Sequence, residues 1–434
     1  MVTTKQKYET IRSKPLQEVR YEAVLDCGMK LLFAPRPGYS KKIAFVVADY
    51  GSIDNAWRRD DRRVTTPDGI AHFLEHMVFK KSHGDLTDVF AARGAYVNAH
   101  TSHTQTAYYF ECTERFDDNL DTLLELALTP YFTKKLVDIE RDIIVQEIRQ
   151  YNDNASWSGF QQMMECLYVK HALRIDIAGT AETVARITPD LLNMCHGTFY
   201  HPSNLTLVVS GDFPREGLLA LANSLAGKWA PKTPRPRVTR ERPVEPARIQ
   251  QHKRVKHMYV TRPRLMLGFK DARQPKGGKM THRDVLTSIA LDAMFSKESE
   301  AYEDLYGRRL IGGDFGATYD AEDDFGYAVI GGETPDAAAL EAELLRIIER
   351  ARKNGIDPKD IERKRRKQLG AFLRAFNDPE ETAYAYMTAM SQRSELFDIP
   401  GMIENAGVSQ VNRRIRELLT PDNYAVSIIA PATK

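Results

Sequence analysis

Two histidines four residues apart, His72 and His76 in "HFLEHMVFK", bracket a glutamate, Glu75. On a helix, residues four apart differ by only about 40° around the axis, so both imidazoles project from one face, one turn apart. Two imidazoles so placed can share one Zn²⁺ at ligand distances of about 2.0–2.1 Å. Glu75 precedes the second histidine by one residue and lies beside the same face. A carboxylate there can accept a proton from water, and zinc lowers the pKa of a water it holds to about 7. The polar side of an ordinary helix is the competing reading. A catalytic zinc also needs a third protein ligand and an open position, so the question moves to the rest of the chain.

The stretch "LVDIERDIIVQEIRQY" offers Glu140 and Glu147, seven residues apart and again nearly on one helical face. Both sit among Ile139, Ile143, Ile144 and Ile148. An unpaired carboxylate on so apolar a helix is expensive to bury. The alternative is a pair of surface acids near Arg141 and Arg149. From these residues alone both glutamates remain candidates.

An internal repeat bears on the choice. "HPSNLTLVVSG" at 201–211 is echoed by "TPDNYAVSIIA" at 420–430, with Pro202 and Pro421 offset by 219. "DIER" occurs at 138–141 and at 360–363, an offset of 222, and each copy is followed by an Asn-Asp pair. Several anchors in one order at nearly one offset indicate duplication. If Asp138 aligns with Asp360, Glu147 falls on Leu369, and the counterpart of His72–His76 lies near "DAMFSKESE", which has no histidine. The histidine pair and Glu147 therefore belong to the first copy only, and one zinc site per chain is expected.

The elements that must position these residues follow from periodicity and turn chemistry. "TTPDG" ahead of an apolar-periodic run signals a helix start. Helical periods cover 70–80, 116–128, 135–151 and 158–170, then 283–306, 336–353, 358–376 and 380–393. "KKIAFVVADYGS", "TAYYFECT", "RLMLGFK" and "GYAVIGGET" read as strands. The fold class is α+β: two homologous domains, each a mostly antiparallel sheet packed with helices. The stretch 229–246 holds five prolines, which places a zinc-binding catalytic domain at 1–229, a linker at 230–250 and a homologous domain without zinc at 251–434.

Composition narrows the function. A net charge of +2, from 61 basic and 59 acidic residues, gives no strong attraction to nucleic acid or to a membrane surface. No apolar run approaches the roughly 18 residues of a membrane span. The N-terminal stretch lacks the apolar core of a leader. Four scattered cysteines without a CxxC pair suit a reducing cytoplasm.

H-x-x-E-H is the inverted zincin signature. With "GAYVNAHTSHTQTAYYF", "ERDIIVQEI", "RIDIAGT", "GTAETVARIT" and "YHPSNLTLVVSGDF", most of the chain resembles the family of pitrilysin, insulin-degrading enzyme and mitochondrial processing peptidase. Within that family it is most similar to short, two-repeat bacterial YmfH-type members. The resemblance implies one half of a peptidase clamshell. It implies zinc held by His72, His76 and Glu147, Glu75 as general base and Glu140 as a supporting carboxylate. It implies Asn98 and Ala99 on an edge strand where a peptide adds as an extra strand. His100 and His103 read as strand or loop residues, and Tyr108, Tyr109 and Cys112 as packing residues.

One family feature is missing. The Arg and Tyr that longer members supply from a later domain fall here on Tyr306 and Gly312 of "YEDLYGRRLIGGDFGATYD", with Arg308, Arg309 and Tyr319 as nearby alternatives. The expected assembly is therefore a heterodimer with a homologous chain lacking the zinc motif, with a homodimer as the alternative. The expected activity is zinc-dependent endopeptidase cleavage of short or unfolded peptides in an enclosed chamber. The rivals are a non-catalytic core subunit of a larger complex and a narrow-specificity peptide maturase.

Overall fold

In the computed structural model, residues 8–432 are described apart from Arg273 and Asp422. Residues 1–7 of the stretch read for a leader lie outside them. The chain forms two compact units, and both are discontinuous in sequence.

The first unit takes residues up to 148, then 176–242 and 374–391. Its sheet has seven strands in the order Glu9–Ser13, Glu18–Val24, Lys30–Pro35, Leu205–Gly211, Lys42–Ala48, Thr106–Cys112 and Tyr96–Thr101. Every pairing is antiparallel except Leu205–Gly211 against Lys30–Pro35. Strand alternation sends Phe33, Ala44, Val46, Tyr108, Phe110, Leu207 and Val209 into one apolar core. Helices Ile70–Met77, Phe116–Leu128 and Lys134–Asp153 contribute to that core, the last through Val137, Ile144 and Ile148. The opposite face buries Leu32, Ile43, Phe45, Val47, Val208 and Tyr109. It is covered by helix Pro379–Ser391, whose Tyr384 ring packs edge-on against Phe45 at 5.0 Å.

The second unit takes 149–175, 243–373 and 392–434. Its sheet runs Lys253–Met258, Tyr424–Pro431, Arg264–Lys270, Phe325–Glu333 and Gly316–Glu322. Only Lys253–Met258 against Tyr424–Pro431 is parallel. This order repeats the last five strands of the first sheet, position for position and with the same single parallel pair. The duplication read from the 219 and 222 offsets is thus also a repeat of topology. Helix Ala155–Leu167 packs on this sheet. Gly268 makes room for Met163, whose sulfur would stand 2.2 Å from any Cβ there. Gln162 donates to Ser427 Oγ at 2.9 Å, and Ser427 donates to the Gly159 carbonyl at 2.8 Å.

The contiguous division at the proline-rich stretch is therefore not how the compact units divide. Residues 149–175 join the second unit and 374–391 join the first. Each sheet is completed by a helix from the other half of the sequence. The expected helix over 283–306 also breaks, into Gly278–Phe295 and Glu300–Gly307, where Ser299 caps the second piece by accepting from the Tyr302 amide.

Candidate metal centre

The histidine helix Ile70–Met77 starts at Gly69, whose φ of +91° is a left-handed value that favours glycine. A Cβ at Gly69 would stand 2.3 Å from the Ala178 carbonyl oxygen. The reciprocal contact holds at Gly179 (φ +75°), where a Cβ would meet the Asp68 carbonyl at 2.5 Å. Two segments distant in sequence, "PDGIAHFLEH" and "RIDIAGT", thus meet backbone to backbone, and this contact sets where the helix begins. Ile70, Phe73, Leu74 and Met77 anchor one side of the helix in the core. That turns His72 and His76 toward helix Lys134–Asp153, which presents Glu140 and Glu147.

Four of the predicted side chains come together there. His72 Nε2 lies 3.7 Å from one Glu147 oxygen, and His76 Nε2 lies 3.6 Å from the other. These gaps are too long for hydrogen bonds. They are close to the separation of about 3.4 Å between two donors that each sit about 2.1 Å from one tetrahedral ion. Donor atoms of all three residues lie within 4.8 Å of one another. Among the described residues this is the one group of three or more His, Cys, Asp or Glu side chains arranged to hold a metal ion. Two imidazoles and a carboxylate are a zinc donor set, so the residues fit the ion.

At His72 protonation favours the same role. Burial pushes the His72 imidazole down to about 3, and the neighbouring His76 adds to this, so it is neutral with a lone pair available. Burial also opposes protonation of His76. Its hydrogen bond to Glu140 and the charges of Glu75, Glu140 and Glu147 outweigh that and raise its pKa. Glu140 Oε1 sits 2.9 Å from His76 Nδ1. Its side chain is only 6% exposed, with Lys80 Nζ 3.8 Å from its other oxygen. A proton on Nδ1 shared with Glu140 leaves Nε2 as the atom that faces Glu147. Glu140 and Glu147, alike in sequence, are therefore different in place: one grips a histidine from behind, the other joins the donor cluster.

Glu75 is buried on the same helix. Burial raises its pKa, while a 2.5 Å hydrogen bond from Thr101 Oγ1 to its Oε2 and the nearby His76 work the other way. Asn98 is exposed on Tyr96–Thr101, the edge strand of the seven-stranded sheet. Its Nδ2 donates to Tyr96 Oη at 2.9 Å, and its Oδ1 accepts from the Ala99 amide at 2.8 Å. His100 stacks with Tyr384, and His103 Nδ1 lies 3.1 Å from Ser52 Oγ; neither joins the donor cluster. Tyr108 and Cys112 are buried in the core. Sequence reading missed Thr101, whereas Gly69 stands where the helix-start signal put it. The period of two along the edge strand, which puts residue 101 on the same face as 99, was the available signal for Thr101.

In the second unit a buried lysine on helix Pro358–Ala375 and the residues weighed for the missing Arg and Tyr have partners of their own. Lys364 is buried, donating to Ser296 Oγ at 2.5 Å and pairing with Glu298 at 2.8 Å. Arg308 pairs with Asp304 and Glu343. Tyr319 donates to Asp271 at 2.7 Å, and Tyr306 stacks on Tyr302.

A family model described as insulinase (peptidase family M16) matches residues 63–181, which span the whole cluster. A second, described as the peptidase M16 inactive domain, matches 186–368. A Bacillus subtilis (strain 168) protein named "Uncharacterized zinc protease YmfH" is 36% identical over 97% of this chain and 99% of its own. The mitochondrial-processing peptidase subunit beta of Caenorhabditis elegans is 28% identical over 37% of this chain and 36% of its own. The crystal structure of an M16-like peptidase from Alicyclobacillus acidocaldarius superposes with a TM-score of 0.91 at 32% identity, covering 99% of this chain and all of that one. Pitrilysin shares the fold at a TM-score of 0.72 and 18% identity, with 98% of this chain matching 46% of that one. By sequence along nearly its whole length and by fold, the chain belongs to the insulinase family, peptidase family M16.

Proposed function

We propose that the protein is a zinc-dependent metalloendopeptidase acting on short or unfolded peptides. The observation that carries the reading is the convergence of His72, His76 and Glu147 from two helices with Glu75 beside them. A zinc ion held there would polarise the scissile carbonyl and acidify water. His72, His76 and Glu147 would hold it, and Glu140 fixes the orientation and tautomer of His76. Glu75 takes the proton of the attacking water and returns it to the leaving amine. The peptide adds to the edge strand Tyr96–Thr101, with Asn98 and Ala99 pairing to its backbone.

For the assembly we propose a heterodimer with a homologous chain lacking H-x-x-E-H. The reading rests on Arg308 and Tyr319 being engaged within their own unit and on the chain's match to about half of pitrilysin. Two such chains would together enclose the peptide. Four free cysteines, three of them buried, suit a reducing compartment, and no helix among the described residues is long and apolar enough to cross a membrane.

The test is a peptide-library digest by the zinc-loaded protein with any chain that co-purifies, beside a Glu75→Gln variant. The variant should bind zinc normally and lose cleavage by about 10²–10⁴-fold. Equal cleavage by both, or none by either, refutes the peptidase reading. Full activity of the chain purified alone as a monomer refutes the heterodimer.

A further inference from the structure

The hydrogen bond between Thr101 and Glu75 ties the proposed base to the strand on which the peptide is proposed to lie. Thr101 is the last residue of the edge strand and pairs in register with Thr106 across the hairpin. Its hydroxyl donates to Glu75 Oε2 at 2.5 Å. No protein hydrogen bond engages the other Glu75 oxygen, Oε1, among the described residues.

Behind Thr101 stands a buried hydroxyl cluster. Thr106 is fully buried and donates to the Tyr50 carbonyl at 2.9 Å. Its single proton is thereby spent, so it does not compete with Thr101 for Glu75. Thr106 Oγ1 stands 3.5 Å from Thr101 Oγ1. Tyr200 and Tyr108 join hydroxyls at 2.6 Å, and both are buried. Tyr200 is further fixed by the His196 ring stacked on it at 4.9 Å. A β-branched residue has few χ1 choices, and its neighbours here are packed and hydrogen-bonded. The Thr101 hydroxyl is therefore held in one place, and it holds one carboxylate oxygen in turn.

We infer that Thr101 is a positioning residue: it sets the rotamer of Glu75, leaving Oε1 to work, and references the base to the same strand that aligns the peptide. The inference deepens the peptidase reading and rests on it. The strand would then fix the scissile bond through its backbone and the base through residue 101. An error in either would be felt at the other only through the strand.

Thr101→Val keeps the shape and removes the donor, and Thr101→Ser keeps the donor. On an internally quenched peptide that the zinc-loaded wild type cleaves, Thr101→Val should lower kcat about 10- to 100-fold with KM within about twofold. Thr101→Ser should recover most of that loss. Asn98→Ala should act mainly on KM. Zinc affinity should be unchanged in Thr101→Val. A Thr101→Val enzyme with undiminished kcat, or with a changed KM alone, overturns the inference, as does failure of the serine to rescue. A crystal structure of Thr101→Val provides a readout free of activity: the Glu75 carboxylate should swing from its wild-type position, and an unmoved carboxylate overturns the inference even in a protein that cleaves nothing. Absence of cleavage by the wild type falls instead on the peptidase reading.

Discussion

Glu140 offers the sharpest test of how the centre is built. Its carboxylate is almost fully buried and lies 2.9 Å from His76 Nδ1. Glu140→Gln retains an acceptor of the same shape and removes the charge. A hydrogen bond to a charged group contributes about 1.5–3 kcal/mol and a neutral one about 0.5–1.5. The difference, about 1–1.5 kcal/mol, is a factor of about ten in zinc affinity. Glu140→Leu removes the acceptor as well and leaves the His76 N–H unpaired, so a loss nearer 100-fold is expected. Competition against a chromophoric chelator near neutral pH measures both, with urea denaturation of the metal-free proteins as the control for folding. The two variants should rank Glu, Gln, Leu in falling affinity. Binding by Glu140→Gln equal to wild type, or by Glu140→Leu no weaker than Glu140→Gln, would refute the argument that this carboxylate tunes His76.

Two further outcomes follow from the same unit. Burial pushes the His196 imidazole down to about 3. Its folded pKa is thus below the ordinary 6.5, the unfolded chain takes up the proton first, and stability falls as pH drops through 6.5 toward 3. At pH 5 this one residue costs about 2 kcal/mol relative to neutrality. In the metal-free protein His72 adds to the same trend. His196→Phe should flatten the pH dependence of urea unfolding by that share, while losing the 3.0 Å bond to the Ala127 carbonyl; an unaltered slope would contradict it. Gly69→Ala, which drives a Cβ against a backbone carbonyl at a positive φ, should cost about 2–4 kcal/mol and weaken zinc binding with it; a loss below about 0.5 kcal/mol in urea denaturation would show that the helix start can shift.

How far the sequence could be read varied with the physics involved. The i, i+4 histidines are a purely local pattern, and the helix that carries them projects both side chains as its period requires. The offsets of 219 and 222 reflect backbone turns and strand starts, which sequence records directly, and the two sheets do repeat one strand order. Glu140 and Glu147 could be separated only by tertiary placement, since periodicity puts both on one face. The helices Ala155–Leu167 and Pro379–Ser391 were visible as helical periods, yet nothing local says which sheet a helix will cover. Gly159, Gly268 and Met163 decide that for the first, through contacts more than a hundred residues apart. The short helix Leu86–Ala92 and the helix Arg215–Trp229 were not anticipated: the first is brief, and Ala, Gly, Asn and Lys dilute the apolar stripe of the second.

The exchange of these two helices has a consequence for biosynthesis. Leu32, Ile43, Phe45, Val47 and Val208 line a sheet face whose cover, residues 379–391, lies nearly nine-tenths of the way along the chain. The amino-terminal sheet must therefore leave the ribosome bare on one side and wait while nearly two hundred further residues are translated. Exposed apolar sheet is the surface on which nascent proteins aggregate. The histidine-bearing half of the chain thus depends on its carboxy-terminal half for safe passage through its own synthesis.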